Sequence, residues 1–314
     1  MTEQEQFGTS SKKGRRGMAK ASLDMIKAMF EIAEAIQPVT GRGIGYKLFA
    51  RQLIDSMKKN DMKRVYRLLK EARERDILPW SWIVDENRSL EISATWSDPD
   101  EYMRGVQRAY RKEFWDQQPV RCEVWSEKGT VRGVLAPVLD LYGVGFRVMH
   151  GFTSATVAHD AAEDDDGREL IALYVGDFDP SGLFMSEADL PSRLAEYGGD
   201  HVKLRRIATT RDQVTGLISF PASDKQKDPR YKWFTANYGH ECWELDAMDP
   251  RALRDCVEAA IKELIEPVAW ERCETVNEAE KASIHDFLGK WNAPPRDQWI
   301  EEFLQASPAG EDAR

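Results

Sequence analysis

The sequence predicts an α/β protein: a parallel sheet with helices between its strands, preceded by a cluster of short basic helices and followed by a helical extension. Three observations carry this reading. Leu170-Ile171-Ala172-Leu173-Tyr174-Val175 is an uninterrupted apolar run of the kind found in strands covered on both faces of a parallel sheet. Strand-like stretches on either side of it alternate with helical apolar stripes, which implies parallel strands joined by helical crossovers. Ahead of them, residues 11–75 hold 17 Lys/Arg against 7 Asp/Glu, a local excess of about +10 in a chain whose net charge is −10.

That asymmetry leaves about −20 on the remainder, a division that marks one surface for a polyanion while the rest of the molecule avoids it. The length, 314 residues, suits roughly two domains, and 42% hydrophobic residues are enough to fill their cores. No run approaches the roughly 18 apolar residues of a membrane span, so no membrane partner is expected. No apolar stretch follows the basic N-terminal segment MTEQEQFGTSSKKGRRG, and no secretory signal is expected. Cys122, Cys242, Cys256 and Cys273 are scattered and form no CxxC pair, so the expected location is the cytoplasm, with the thiols reduced.

In chain order, residues 1–18 are polar and basic and read as a flexible arm. Residues 19–117 read as a winged helix-turn-helix domain with a linking helix. Its first helix has Ser22 ahead of a stripe of Leu23, Ile26, Met29, Phe30, Ala33 and Ile36, and stops before Pro38. A second follows through Ile44, Leu48, Phe49, Leu53 and Ile54. The third, with Asn60 or Asp61 as its expected cap, buries Val65, Leu68, Leu69 and Ala72. Its opposite face carries Lys63, Arg64, Arg67, Lys70 and Arg73. Three short helices, the last cationic, before an extended stretch fit a winged helix that reads DNA; a solvated face on an ordinary amphipathic helix has the same pattern. Residues 98–118 read as the linking helix.

Residues 118–225 form the expected sheet domain. Val120, Cys122 and Val124 alternate as a strand, and Val131, Val134, Leu135, Val138 and Leu141 line a helix. Strands at 146–149, 170–175 and 202–207 alternate with helices at 154–162 and 183–197. Residues 209–238 look loop-rich. Residues 226–314 form a mainly helical extension, with helices at 250–266, 278–291 and 297–304.

Ligands of an open parallel sheet bind at the carboxyl ends of its strands, and two acidic groups fall there. Glu127 follows the first strand in Trp125-Ser126-Glu127-Lys128-Gly129, and Asp177 and Asp179 follow the buried strand in Gly176-Asp177-Phe178-Asp179-Pro180-Ser181-Gly182. Three carboxylates from neighbouring strands make an all-oxygen site suited to Mg²⁺. Without a cation they would repel one another and raise their pKa values. A DxD pair is also a common turn motif, but the buried strand before it and the upstream Glu-Lys favour the metal. The five histidines have no zinc spacing, Asp164-Asp165-Asp166 reads as a solvated turn, and no phosphate-binding P-loop sequence is present.

Glu127-Lys128 after the first strand, Gly151-Phe152-Thr153-Ser154, and GDFDPSG after an apolar strand resemble a Toprim domain. More narrowly they resemble the DNA-cleaving component of topoisomerase VI, the related meiotic double-strand-break proteins and their stand-alone bacterial and phage relatives of the Mini-A type. The resemblance covers about residues 40–265 and is strongest in the Toprim part. It implies that Glu127, Asp177 and Asp179 bind Mg²⁺, with Mn²⁺ able to substitute, and that Lys128 acts beside them. It also implies a nucleophilic tyrosine: Arg42-Gly43-Ile44-Gly45-Tyr46 is a loose echo of Arg-Asp-Ile-Tyr-Tyr, in which Tyr46 matches the second tyrosine and Gly45 replaces the first. Tyr46 is therefore either the nucleophile or a core aromatic beside Phe49. Arg42, Lys47 and Arg51 could favour its phenolate and, with the cationic helix, bind double-stranded DNA. The implied partners are a second copy of the chain, as a homodimer, and a separate ATPase protein. The implied activity is DNA cleavage by tyrosine transesterification; a hydrolytic Toprim nuclease and a non-catalytic DNA-binding module are the alternatives. Glu244-Leu245-Asp246-Ala247-Met248-Asp249-Pro250 also resembles these relatives, without an assigned role.

Overall fold

The computed structural model describes residues 19–84, 95–149 and 155–290, together with 298, 301 and 302. The basic arm, Gly151-Phe152-Thr153-Ser154 and most of the expected last helix lie outside the described residues. The chain divides into two compact units: residues 19–84 and 118–265 form one, and residues 95–117 and 266–290 belong to the other. The division also falls after residue 117, but there is none after 225: residues 226–265 belong with the sheet, and the helical cluster is grouped with it too.

The first unit begins with three helices, α1 (Lys20–Ile36), α2 (Gly41–Ala50) and α3 (Lys59–Glu74). Their apolar stripes meet in one core of Ile26, Met29, Ile44, Leu48, Val65, Leu68 and Leu69, all sealed from water. Glycines let α2 approach its neighbours: a Cβ on Gly45 would lie 2.6 Å from the Met62 sulfur of α3. Gly45 is thus a packing position. Two two-residue strands, β1 (Val39–Thr40) and β2 (Ile83–Val84), pair in parallel across this cluster. The stretch after α3 therefore runs beside β1, and no antiparallel wing occurs among the described residues.

Two local expectations change. Helix α3 starts at Lys59 with Lys58 before it and no side-chain cap. Asp61 instead sits in the first turn, where it complements the helix dipole and accepts a 2.6 Å bond from the Ser56 hydroxyl. Lys63, Arg64, Arg67 and Lys70 are exposed on α3, but Arg73 is not part of that face. It is only 9% exposed and lies 4.7 Å from the Trp80 ring centre, because beyond the helix end the chain folds back over it.

The sheet follows in this unit. Its strands are β3 (Arg121–Ser126), β4 (Gly145–Val148), β5 (Leu170–Val175) and β6 (Val202–Ala208). They are connected through α5 (Thr130–Tyr142), α6 (Ala155–Glu163), the short α7 (Pro180–Phe184) and α8 (Leu190–Glu196). All four strands are parallel, in the order β4-β3-β5-β6. As the apolar run predicts, β5 is central and every residue but Ile171 is buried. The chain moves from β3 to one side and then to the other, so β3 and β5 flank the topological switch point where such sheets bind ligands.

Beyond β6, the loop-rich stretch contains β7 (Phe220–Pro221) and α9 (Tyr231–Tyr238), and β7 pairs antiparallel with β8 (Glu241–Cys242). Helix α10 (Pro250–Lys262), capped by Asp249, buries Leu253, Val257 and Ile261. In the second unit, α4 (Pro99–Ala109) is capped by Asp98. It lies beside the 23-residue helix α11 (Pro267–Gly289), which starts well before the expected position 278. Phe114 and Trp115 stack against Trp270, and Tyr110 and Lys112 both bond Glu280. No helix among the described residues is long and apolar enough to cross a membrane.

Leu68 is fully buried at the centre of the three-helix core. Leu68→Ala is expected to cost about 3 kcal/mol of stability, read as a lowered midpoint in urea unfolding.

Candidate active site

Glu127, Asp177 and Asp179 meet at the carboxyl ends of β3 and β5. Glu127 lies one residue beyond β3, and the aspartates lie in the turn that joins β5 to α7. That turn is tightly determined. Asp179 caps α7, its Oδ1 accepting the Gly182 amide at 2.8 Å, and Phe178 exchanges two backbone bonds with Trp243. Gly182 is required for its missing side chain: a Cβ there would stand 2.3 Å from the Asp177 carbonyl oxygen. Behind the turn, Arg206 of β6 donates to the carbonyls of Gly176, Asp177, Gly182 and Thr209 and to the Ser186 hydroxyl. Its guanidinium is part-buried, which lowers its pKa, and those acceptors explain how it stays there.

The Glu127 carboxyl feels the charges of both aspartates. Burial first, and then the charges of Asp177 and Asp179, push the Glu127 carboxyl up from 4.5 to about 7, with Lys128 and Lys225 opposing. Each aspartate has a lysine. The Lys128 ammonium lies 2.8 Å from Asp177 Oδ1 and 3.3 Å from Asp246 Oδ2, and the Lys225 ammonium lies 3.0 Å from Asp179 Oδ2. Burial opposes the charge on the Lys128 ammonium, but Asp177 and Asp246 outweigh it and raise its pKa above the ordinary lysine value. The donor chemistry, three carboxylates at adjacent strand ends, fits a hard divalent cation. The side chains stand drawn toward their lysines, and among the described residues no three carboxylate, imidazole or thiol groups are gathered as a ready-made cation site.

Helix α2 is fastened to this region by the segment Glu244–Asp249. Glu244 holds the Arg42 guanidinium through Nε and Nη2, and Asp246 accepts from the Thr40 hydroxyl. Asp249 pairs with Lys47 at 2.9 Å, and the Leu245 amide donates to Asp177 Oδ1 at 2.8 Å. The same segment thus touches both the candidate metal aspartate and the candidate nucleophile's helix. Tyr46 is 3% exposed. Burial and the Glu244 carboxylate raise its phenol above the ordinary tyrosine value, and Arg42, 5.9 Å from the ring centre, opposes them.

Of the residues expected from sequence, Arg42, Tyr46, Glu127, Lys128, Asp177 and Asp179 come together around this end of the sheet. Arg42 and Lys47 are engaged by carboxylates, whereas Arg51 pairs with Glu31 at 3.5 Å on the outside of the helical cluster. Arg206, Lys225, Glu244 and Asp246 join them without having been legible as site residues along the chain. Arg206 carries a weak signal, an arginine inside a strand pattern; Glu244 and Asp246 lie in the segment whose resemblance came without a role, and Lys225 lies in a stretch without periodicity. A cleft of about 420 Å³ opens here, lined by Arg42, Tyr66, Glu127, Lys128, Thr130 and Asp246 among others. No protein-family model matches the chain, and no curated protein is significantly similar to it.

Glu127 has a higher pKa folded than unfolded, so the folded protein retains a proton that the unfolded chain loses between about pH 4.5 and 7. Stability relative to Glu127→Gln is expected to fall as pH rises through that window and to level off above it, measured by urea unfolding at a series of pH values. Gly182→Ala, which forces a Cβ onto the Asp177 carbonyl, is expected to lower the melting temperature by more than about 4 °C.

Proposed function

We propose that this protein is a metal-dependent DNA-cleaving enzyme acting at the switch point of its sheet. The observation that carries the proposal is the placement of Glu127, Asp177 and Asp179 at the carboxyl ends of adjacent parallel strands, where burial and the charges of two aspartates raise the third carboxyl to about 7. Such like-charge repulsion suits a site whose charge a divalent cation relieves. Glu127, Asp177 and Asp179 would hold Mg²⁺ or Mn²⁺, which supplies polarisation of a phosphodiester when bound. The exposed face of Lys63, Arg64, Arg67 and Lys70 provides phosphate contacts that position duplex DNA and carry a steep salt dependence. In the resembling proteins a tyrosine is the nucleophile, and Tyr46 is its counterpart here. Its phenolic oxygen would bond the phosphorus as the bond to the 3′ oxygen breaks, leaving a 5′-phosphotyrosyl link and a protonated 3′ hydroxyl. Double-stranded DNA, a second copy of the chain and a separate ATPase protein are the partners of such a topoisomerase VI-like enzyme.

The burial of Tyr46 favours a second reading, in which water is the nucleophile and the enzyme is a hydrolytic nuclease. Incubation of supercoiled plasmid with Mg²⁺ or Mn²⁺, stopped with detergent and divided between samples with and without proteinase, separates the two. Cleavage is expected from the wild type, with a loss of at least about a hundredfold in Asp177→Ala. Protein-linked 5′ ends that vanish in Tyr46→Phe identify transesterification; unlinked ends that survive Tyr46→Phe identify the nuclease. Absence of cleavage under every condition would leave a DNA-binding module and defeat both.

A further inference from the structure

A second cleft, of about 330 Å³, lies on the Tyr46 side of Arg42, and its lining includes Arg42, Tyr46, Ser56, Lys58, Lys225 and Glu244. Three cations from separate parts of the chain converge on it: Arg42 from α2, Lys58 from just before α3, and Lys225 from beyond β7. Two carboxylates, Glu244 and Asp224, line it as well, and Phe49, Met57 and Phe220 supply apolar walls that restrict hydration of the charges. Within it, the Glu244 carboxylate takes Nε and Nη2 of Arg42 side-on, one oxygen to each nitrogen. Two non-bridging oxygens of a phosphate take the same fork in the same way.

We propose that this cleft is a phosphate-binding site for the DNA backbone, and that Glu244 is its built-in occupant, displaced when a phosphate enters. The proposal rests on DNA as the substrate only for the identity of the phosphate. The physical case is one of exchange. The Arg42 side chain is 34% exposed and the Glu244 side chain 15%, so this is a partly desolvated pair whose guanidinium requires an anion. Replacing the carboxylate by a phosphate oxyanion keeps Arg42 paired, and Lys58 adds a further cation; Lys225 is shared with Asp179, 3.0 Å away, and Asp224 also lines the cleft. Neutralising Glu244 while keeping its shape leaves Arg42 short of an anion. A Glu244 that occupies a phosphate site predicts a gain in anion affinity that depends on Arg42, whereas a Glu244 that only fastens two parts of the fold predicts none.

Wild type, Glu244→Gln, Glu244→Asp and the double variant Glu244→Gln/Arg42→Gln are compared in two measurements without divalent cations. The first is fluorescence anisotropy with a labelled 20-base-pair duplex in EDTA at fixed salt; the second is thermal melting with increasing inorganic phosphate, with circular dichroism verifying the fold. Glu244→Gln is expected to bind duplex about tenfold tighter than wild type and to gain more melting temperature from phosphate. Both gains should disappear in the double variant. Glu244→Asp, whose shorter side chain withdraws from Arg42, should show a smaller gain and serves in place of Glu244→Gln if that variant does not fold. A folded variant that binds both probes no more tightly than wild type overturns the phosphate site and leaves the DNA-cleaving proposal standing. A gain for inorganic phosphate with no duplex binding by any protein keeps the site and removes DNA as its substrate.

Discussion

A carboxylate almost sealed from water must be met by donors, and Asp177 is where that constraint organises the protein. It is 6% exposed and accepts from the Lys128 ammonium and the Leu245 amide. Glu127 and Asp179 are its neighbours in the same corner, and Asp246 shares its lysine. So many acids at one end of a sheet are tolerable only because Lys128, Lys225 and Arg42 come from three different places to answer them. Arg206, on the other side of the turn, satisfies carbonyl oxygens and keeps the backbone of that turn in place.

The same electrostatic requirement joins the helical cluster to the sheet. Arg42 and Lys47 of α2 are bound by Glu244 and Asp249, and the segment between those acids reaches Asp177 through its own backbone. The attachment between the basic N-terminal region and the acidic remainder is therefore built from the charges that a polyanion would otherwise recruit. Exposed α3 cations and engaged α2 cations form two classes. The former stand at the surface; the latter are already paired with carboxylates.

Much of this is legible along the chain, for identifiable reasons. The run Leu170–Val175 announces a central strand because a strand covered on both faces needs apolar residues at every position. Glu127, Asp177 and Asp179 are legible because a strand end is a local landmark and the residues that follow it share one edge of the sheet. The start of helix α11 is hidden because it buries only Cys273 and Asn277 and has no apolar stripe; Glu266 and Pro267, its cap and first residue, are the available signal. Arg73 reads as part of a cationic face by spacing, yet chain returning through Trp80 covers it. Gly45 reads as a lost tyrosine and proves to be where α2 touches Met62.

The sequence by itself determined the α/β class, the four strands with their intervening helices, the basic N-terminal helices and the placement of three acids at strand ends. Each of these is periodic or local, written in residues a few positions apart. Only the tertiary structure decided the strand order, the partners of those acids and the fate of the cations on α2. Arg42 finds Glu244 across 202 positions, and Lys128 finds Asp246 across 118. No periodicity connects such pairs; they are set by which loops the packed core brings to the same end of the sheet, and by the need of each buried charge for an opposite one.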